Sequence, residues 1–245
     1  ATVLANSEPI DLKILYCSNR YFLKKGTPSI GNFPIASFQI RAPFSFRPHP
    51  ANNTNISIEN CQKSHTIDIF TDGSKIANQV GSAFVAMRES AIIHTGKKRL
   101  ANECTVFQAE LLAILSATHW CIEQDLDAKI HCDSQAAINA VCSRNTSDSL
   151  ALKIQKSIQN STTHICITWV KAHVGILGNE LADSLAKKAT ENTSIDYELI
   201  PTSHGLKIAK IKLNKDWDER WTTSIKGRTT ASFFPTINDR KQCKF

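Results

Sequence analysis

The clearest pattern along the chain begins at Thr66, where Thr66-Ile67-Asp68-Ile69-Phe70-Thr71-Asp72 alternates and stops at Gly73. Alternation ending at glycine predicts a strand and a turn. Gly81–Met87 and Ala91–Thr95 are apolar runs parted by Arg88-Glu89-Ser90, which adds two strands of an antiparallel meander. Between Thr105 and Ile122 the period changes, with Ala109, Leu112, Ala113 and Ser116 at helical spacing. Lys129–Cys132 predicts a short strand that runs into Asp133, and Gln135–Val141 and Ser149–Ile158 predict helices. His164–Val170 is a fifth strand, and Asn179–Ala189, with Leu181 and Leu185 four apart, a closing helix. The order β-β-β-α-β-α-α-β-α describes an α/β fold. Three antiparallel strands continue into α/β units, so the expectation is a five-stranded mixed sheet flanked by helices.

The two ends carry weaker patterns. Residues 1–63 read as a linker-like N-terminal segment with a few short strands, such as Ile10–Tyr16. Pro28, Pro34, Pro43, Pro48 and Pro50 punctuate it, and no sustained period appears. Residues 191–245 read as a C-terminal extension with an amphipathic helix near Leu206–Ser224. Leu206, Ala209, Leu213, Trp217 and Trp221 share one face of that helix and are expected to pack on the central domain, 64–190.

Charge refines this division. The whole chain of 245 residues carries a formal +7, yet His65–Thr190 holds 12 Lys+Arg and 12 Asp+Glu, so the basic surplus lies in the flanks. Solvated tails account for that surplus; so does a role in holding a phosphate backbone. The eight cysteines show no C-x-x-C pair and no zinc-ligand spacing with histidine, and read as reduced thiols of an intracellular protein, cytoplasmic or nuclear. No apolar run approaches a membrane span, so a membrane is not among the expected partners. The first residue is Ala1 and the single methionine is Met87, inside a predicted strand, so the chain is expected to be part of a longer translated product.

Four acids stand at telling places. Asp72 and Asp133 close predicted strands; Glu110 and Asp183 lie in the first turns of predicted helices. Each alone has an ordinary explanation: a turn residue, a helix cap, a solvated charge, a dipole partner. Together they sit where strand ends and helix starts of an α/β sheet converge. Crowded carboxylates raise one another's pKa values, and hard oxygen-loving cations relieve the conflict. A pair of such ions suits a phosphodiester displacement. Trp169, in an apolar run, reads as a core side chain rather than a stacking surface for bases.

The set resembles type 1 ribonuclease H. The resemblance rests on Thr71-Asp72-Gly73-Ser74, Phe107-Gln108-Ala109-Glu110-Leu111, Cys132-Asp133-Ser134-Gln135, and the H-x-G-x-x-G-N-E-x-A-D run from His173 to Asp183, in the family's order. It implies that Asp72, Glu110, Asp133 and Asp183 bind two Mg²⁺ (or Mn²⁺), and that His173 aids proton transfer or product release. Asn179 and Glu180 match positions near the metals, although Asn179 also suits a helix N-cap. Gly73, Ser74, Ser134, Gln135 and Asn179 are the candidate substrate contacts, some of them to 2′-hydroxyls in the minor groove. Gly175 and Gly178 would make the histidine loop flexible.

Two departures qualify the resemblance. Only 40 positions separate Asp133 from His173, which leaves no room for the basic helix-and-loop that grips hybrid in cellular members. Val106-Phe107 replaces the polar residues that precede the helix glutamate there. The expected function is endonucleolytic cutting of RNA in RNA–DNA hybrids, leaving a 5′-phosphate and a 3′-hydroxyl. A hybrid-binding remnant that has lost catalysis is the alternative. The motif variants, with Trp217, Trp221, Gly227-Arg228 and Phe233-Phe234-Pro235, are similar to the C-terminal part of arthropod LINE-like (non-LTR) retrotransposon polyproteins. That likeness implies a reverse transcriptase linked in the same chain.

Overall fold

The computed structural model describes residues 7–25, 38–46 and 67–242. In chain order the elements open with α1 (Ile10–Lys25), β1 (Phe38–Gln39) and a 3-10 turn at Phe44–Phe46. The central series is β2 (Ile67–Ile76), β3 (Gln79–Arg88), β4 (Ala91–Leu100), α2 (Val106–Glu123), β5 (Ala128–Cys132), α3 (Gln135–Cys142), α4 (Ser149–Gln159), β6 (Ile165–Trp169) and α5 (Leu177–Ala189). The chain ends with β7 (Ile200–Pro201), α6 (Thr202–Thr223), α7 (Arg228–Phe233) and α8 (Ile237–Gln242). Two compact units result: Arg41–Leu199, and Ala1–Ile40 with Ile200–Phe245.

The larger unit is α/β. Its five strands lie in the order β4-β3-β2-β5-β6, with β4-β3-β2 antiparallel and β2-β5-β6 parallel. Side chains alternate across the sheet. Ile67, Ile69, Val80 and Phe84 join Leu111, Ile114, Ile130, Ile154 and Ile167 in the main core, on the side covered by α2 and α4. Phe70, Val85 and Met87 pack with Ala182, Leu181 and Leu185 of α5. Each such apolar side chain, fully buried, contributes about 1.5–3 kcal/mol. α2 starts sharply because Thr105 and Gln108 form a reciprocal capping box: the Gln108 backbone N–H donates to Thr105 Oγ1 at 3.2 Å, and the Thr105 backbone N–H to Gln108 Oε1 at 3.1 Å.

Three sequence expectations change here. β2 does not stop at Gly73 but runs on to Ile76, with the reversal at Ala77, whose φ is 55°. The glycine serves a close approach rather than a turn: a Cβ there would lie 2.6 Å from the Glu110 amide nitrogen. Ile10–Tyr16 is helical rather than extended, because Leu12 and Leu23 bury one side of α1, while exposed Ile10, Ile14 and Tyr21 hide the period. The apolar face of α6 finds its partners within the smaller unit. Ala209 joins Leu23, Phe38 and Ile200, and Leu213 and Trp217 join Leu12 and Ile237, within the smaller unit. Most of the proline-rich stretch expected as linker lies outside the described residues.

The cysteines also differ from expectation. Cys17, Cys104, Cys121, Cys132 and Cys142 are free thiols, whereas Cys166 is disulfide-bonded. Bridging needs Cα atoms within about 7 Å, which spacing along a chain does not reveal. No helix among the described residues is long and apolar enough to cross a membrane.

Residues 196–199 extend the larger unit past its last helix. Asp196 Oδ2 accepts from the Arg99 amide at 2.7 Å, Tyr197 O accepts from Ala101 N at 2.9 Å, and Leu199 O accepts from Gln108 Nε2 at 3.0 Å. This strap braces the turn that leads into α2. Tyr197→Ala should lower unfolding free energy by about 3 kcal/mol, the scale for truncating a well-packed large side chain, read as a lower urea midpoint at constant m.

Candidate active site

β2, β5 and β6 are in parallel register, with Thr71 opposite Cys132 and Cys132 opposite Trp169. The next residues along β2 and β5, Asp72 and Asp133, therefore stand side by side at one edge of the sheet. Glu110 joins them from the second turn of α2, because Gly73 lets that helix backbone press against β2. Asp183 joins from α5, which crosses the other face. Gly178 permits that crossing: its Cα rests on the Phe70 ring, where any side chain would collide. Gly178 thus serves packing, not the loop flexibility expected from sequence. Gly175 has φ 81°, a left-handed backbone conformation that glycine takes without strain, with open space around it.

The four acids are brought together. Burial pushes the Asp72 carboxyl up to about 7, and repulsion from Asp133 and then Asp183 adds to it. Burial pushes Glu110 up to about 9, with Asp72 and Asp133 as its repelling neighbours. One ligand atom each of Glu110, Cys132 and Asp133 lies within 4.8 Å of the others. The Cys132 thiol donates to Glu110 Oε2 at 3.8 Å, and burial raises its pKa far above the usual range. It stays a protonated thiol and adds no charge, so the donors offered are hard oxygens. That set fits Mg²⁺ or Mn²⁺ better than zinc.

Asn179 is not the helix N-cap; that place belongs to Ile176. Its side chain is buried and donates from Nδ2 to Asp133 Oδ2 at 3.4 Å, while its Oδ1 is buried without a partner. An orphaned acceptor on a side chain that touches the Asp133 carboxylate is what a bound cation or its water would satisfy. Lys187, one turn beyond Asp183 on α5, pairs with its Oδ2 at 2.7 Å.

The other expected residues fall around this edge. His173 is exposed with φ 54°, in the loop that enters α5. Ser74 continues β2, half-buried. Ser134 caps α3, its Oγ accepting from Ala137 N at 3.3 Å, so Asp133 is released from any capping duty. Gln135 opens α3 and is exposed. Trp169 contradicts its expected core role: it is 49% exposed, and its indole N–H donates to the Asp133 carbonyl at 3.1 Å. The apolar run around it masks the fact that the strand ends at this residue. The contact of Cys132 with Glu110 is not legible in the sequence, since nothing local shows that the two adjoin.

The RNase H family profile matches residues 64–191. Ribonuclease H of Actinobacillus succinogenes is 29% identical over 147 residues, covering 53% of this chain and 93% of that protein. Ribonuclease HI of Pasteurella multocida is 27% identical over 149 residues, covering 53% and 92%. Among solved structures, RNase H1 from the halophilic archaeon Halobacterium salinarum aligns over 51% of this chain and 96% of its own, at 20% identity and a TM-score of 0.43.

The raised carboxyls set a pH dependence for metal-free protein. Folded Asp72 and Glu110 hold protons that the unfolded chain would release near pH 4, at 3.8 and 4.5. Their contribution to stability is full below that range and is lost as pH rises through about 7 and about 9. The metal-free Tm should therefore fall between pH 5 and 9, and Mg²⁺ should raise Tm more at pH 8 than at pH 5. Asp72→Asn should flatten the decline. A Tm that climbs with pH in chelator would contradict this electrostatic picture. Gly73→Ala, which drives β2 and α2 apart at Glu110, should cost more than ten-fold in the enzyme's turnover while the chain still unfolds cooperatively.

Proposed function

This chain belongs to the RNase H family, and from that premise we propose that it is an endonuclease hydrolysing the RNA strand of RNA–DNA hybrids with two divalent cations. The observation that carries the reading is the convergence of Asp72, Glu110, Asp133 and Asp183 from four separate elements, against their own repulsion. A protein gains nothing in stability from such crowding; a phosphodiester-cleaving site needs it. The four carboxylates would hold the cations, which supply Lewis acidity that lowers the pKa of water and steadies charge on the displaced oxygen. Asn179 holds Asp133 in place and offers its free Oδ1 to the same centre.

His173 lies on an exposed loop beside Gly175, so it can approach the reacting phosphate and carry a proton or help release product. Gly73 and Ser74 on β2, and Ser134 and Gln135 at the start of α3, flank the acids on the side open to solvent. Their backbone and polar groups are suited to 2′-hydroxyls in the minor groove, which is how RNA is chosen over DNA. The basic flanks would add salt-sensitive contacts to the backbone. The tail motifs from Trp217 to Pro235 support a retroelement origin, with a reverse transcriptase in the same polyprotein making the hybrid.

With Mg²⁺, the purified chain should cut a labelled RNA strand annealed to DNA, and leave single-stranded RNA and duplex DNA intact. Asp133→Asn should lower the rate by at least a thousand-fold and still bind hybrid, and excess chelator should stop the wild type. Equal cutting by Asp133→Asn would refute the mechanism. A folded wild type that binds hybrid without cutting it would instead favour the remnant reading.

A further inference from the structure

The feature left over after the acids, the histidine loop and the polar contacts are assigned is the indole of Trp169. It closes β6 at the same level as Cys132 on the neighbouring strand. Two hydrogen bonds latch this end of the strand: Val170 N–H to Cys132 O at 3.0 Å, and Trp169 Nε1–H to Asp133 O at 3.1 Å. The second uses the ring's only polar atom. What the side chain still presents is apolar ring surface, 49% exposed, with exposed Lys171 two residues on. A large rigid aromatic left open beside a charged site calls for a partner, since burying it elsewhere would release water at no electrostatic cost.

Resting on the hybrid-nuclease reading, we infer that Trp169 is an aromatic subsite that packs against a nucleotide next to the one whose phosphate meets the carboxylates. The indole N–H is bonded to the main-chain carbonyl of Asp133 itself, so a strand whose phosphate meets that carboxylate runs close to the ring. A protein partner seated on Trp169 would obstruct the same approach, which favours nucleic acid as the occupant. Contact through a π-face is sequence-tolerant, because every base and the apolar side of every sugar can make it. It would supply binding that does not weaken with salt. The anchored N–H also makes the ring preorganised, so little conformational freedom is lost on binding.

The test uses the full chain with Mg²⁺ and a labelled RNA–DNA hybrid, comparing wild type, Trp169→Phe and Trp169→Ala, each first shown to unfold cooperatively. Trp169→Ala removes ring and anchor and should raise KM roughly ten-fold or more, the range for losing one aromatic–base contact, with kcat changed much less. Trp169→Phe keeps a flat ring without the N–H, so its KM should lie between the other two. The excess of Trp169→Ala over wild type should persist at high salt. A second reading needs no turnover. In an Asp133→Asn background, hybrid should quench tryptophan emission, and adding Trp169→Phe should abolish most of that quench while anisotropy of the labelled hybrid still reports binding. If the ring only anchors Asp133, both substitutions lower kcat alike, leave KM unchanged and leave the quench in place; that result overturns the inference while the nuclease reading stands. A wild-type chain that neither cuts nor binds hybrid removes both.

Discussion

Four carboxylates forced to one edge of a sheet, two of them largely out of water, are the constraint around which the larger unit is built. Each would be more comfortable alone in solvent. Burial and mutual repulsion hold Asp72 near 7 and Glu110 near 9, far from their free values. Such a cluster exists only because the surrounding packing is strong enough to impose it. The imposition is visible in contacts that tolerate no substitution: Gly73 against the Glu110 amide, Gly178 against Phe70, and the parallel register that sets Asp72 beside Asp133. Once counter-charge is supplied, the repulsion becomes affinity, and the site is preorganised to receive it.

The means of support are distributed unevenly. Asp133 is the best held of the four, gripped by Asn179 through its carboxylate and by Trp169 through its main chain. Glu110 depends on the placement of α2, which the Thr105–Gln108 box starts and the 196–199 strap braces through Leu199. Lys75 adds to the same turn by donating to the carbonyls of Asn102 and Cys104 at 3.0 and 2.9 Å. Asp183 is held by an exposed partner on its own helix, Lys187.

The smaller unit follows separate physics. Its cores are small, built from Leu23, Phe38, Ile200 and Ala209, and from Leu12, Leu213, Trp217 and Ile237. Charge pairs tie α6 to the start of α1 and the residues before it: Arg220 to Asp11, and Lys210 to Glu8. Exposed pairs of this kind contribute little each, so the buried tryptophan and leucines carry the association of α1 with α6.

The sequence by itself determined the order and kind of the elements from Ile67 to Ala189, because periods of 2 and 3.6 there agree with local turn chemistry. It also determined the candidate acids, because motif order and strand-end positions are properties of the chain read locally. It did not determine what is close to what. Trp169 reads as core from its apolar neighbours, yet the strand ends at it and leaves its ring in water. Gly73 and Gly178 read as turn and hinge, yet each is a point where two backbones or a backbone and a ring nearly touch. α1 was illegible because apolar residues surround it, and only α6, some 190 residues on, decides which face is inside. The apolar face of α6 and the state of Cys166 were undecidable for the same reason. Period and motif are written in neighbouring residues, whereas burial, close approach and shared charge depend on residues brought together by folding.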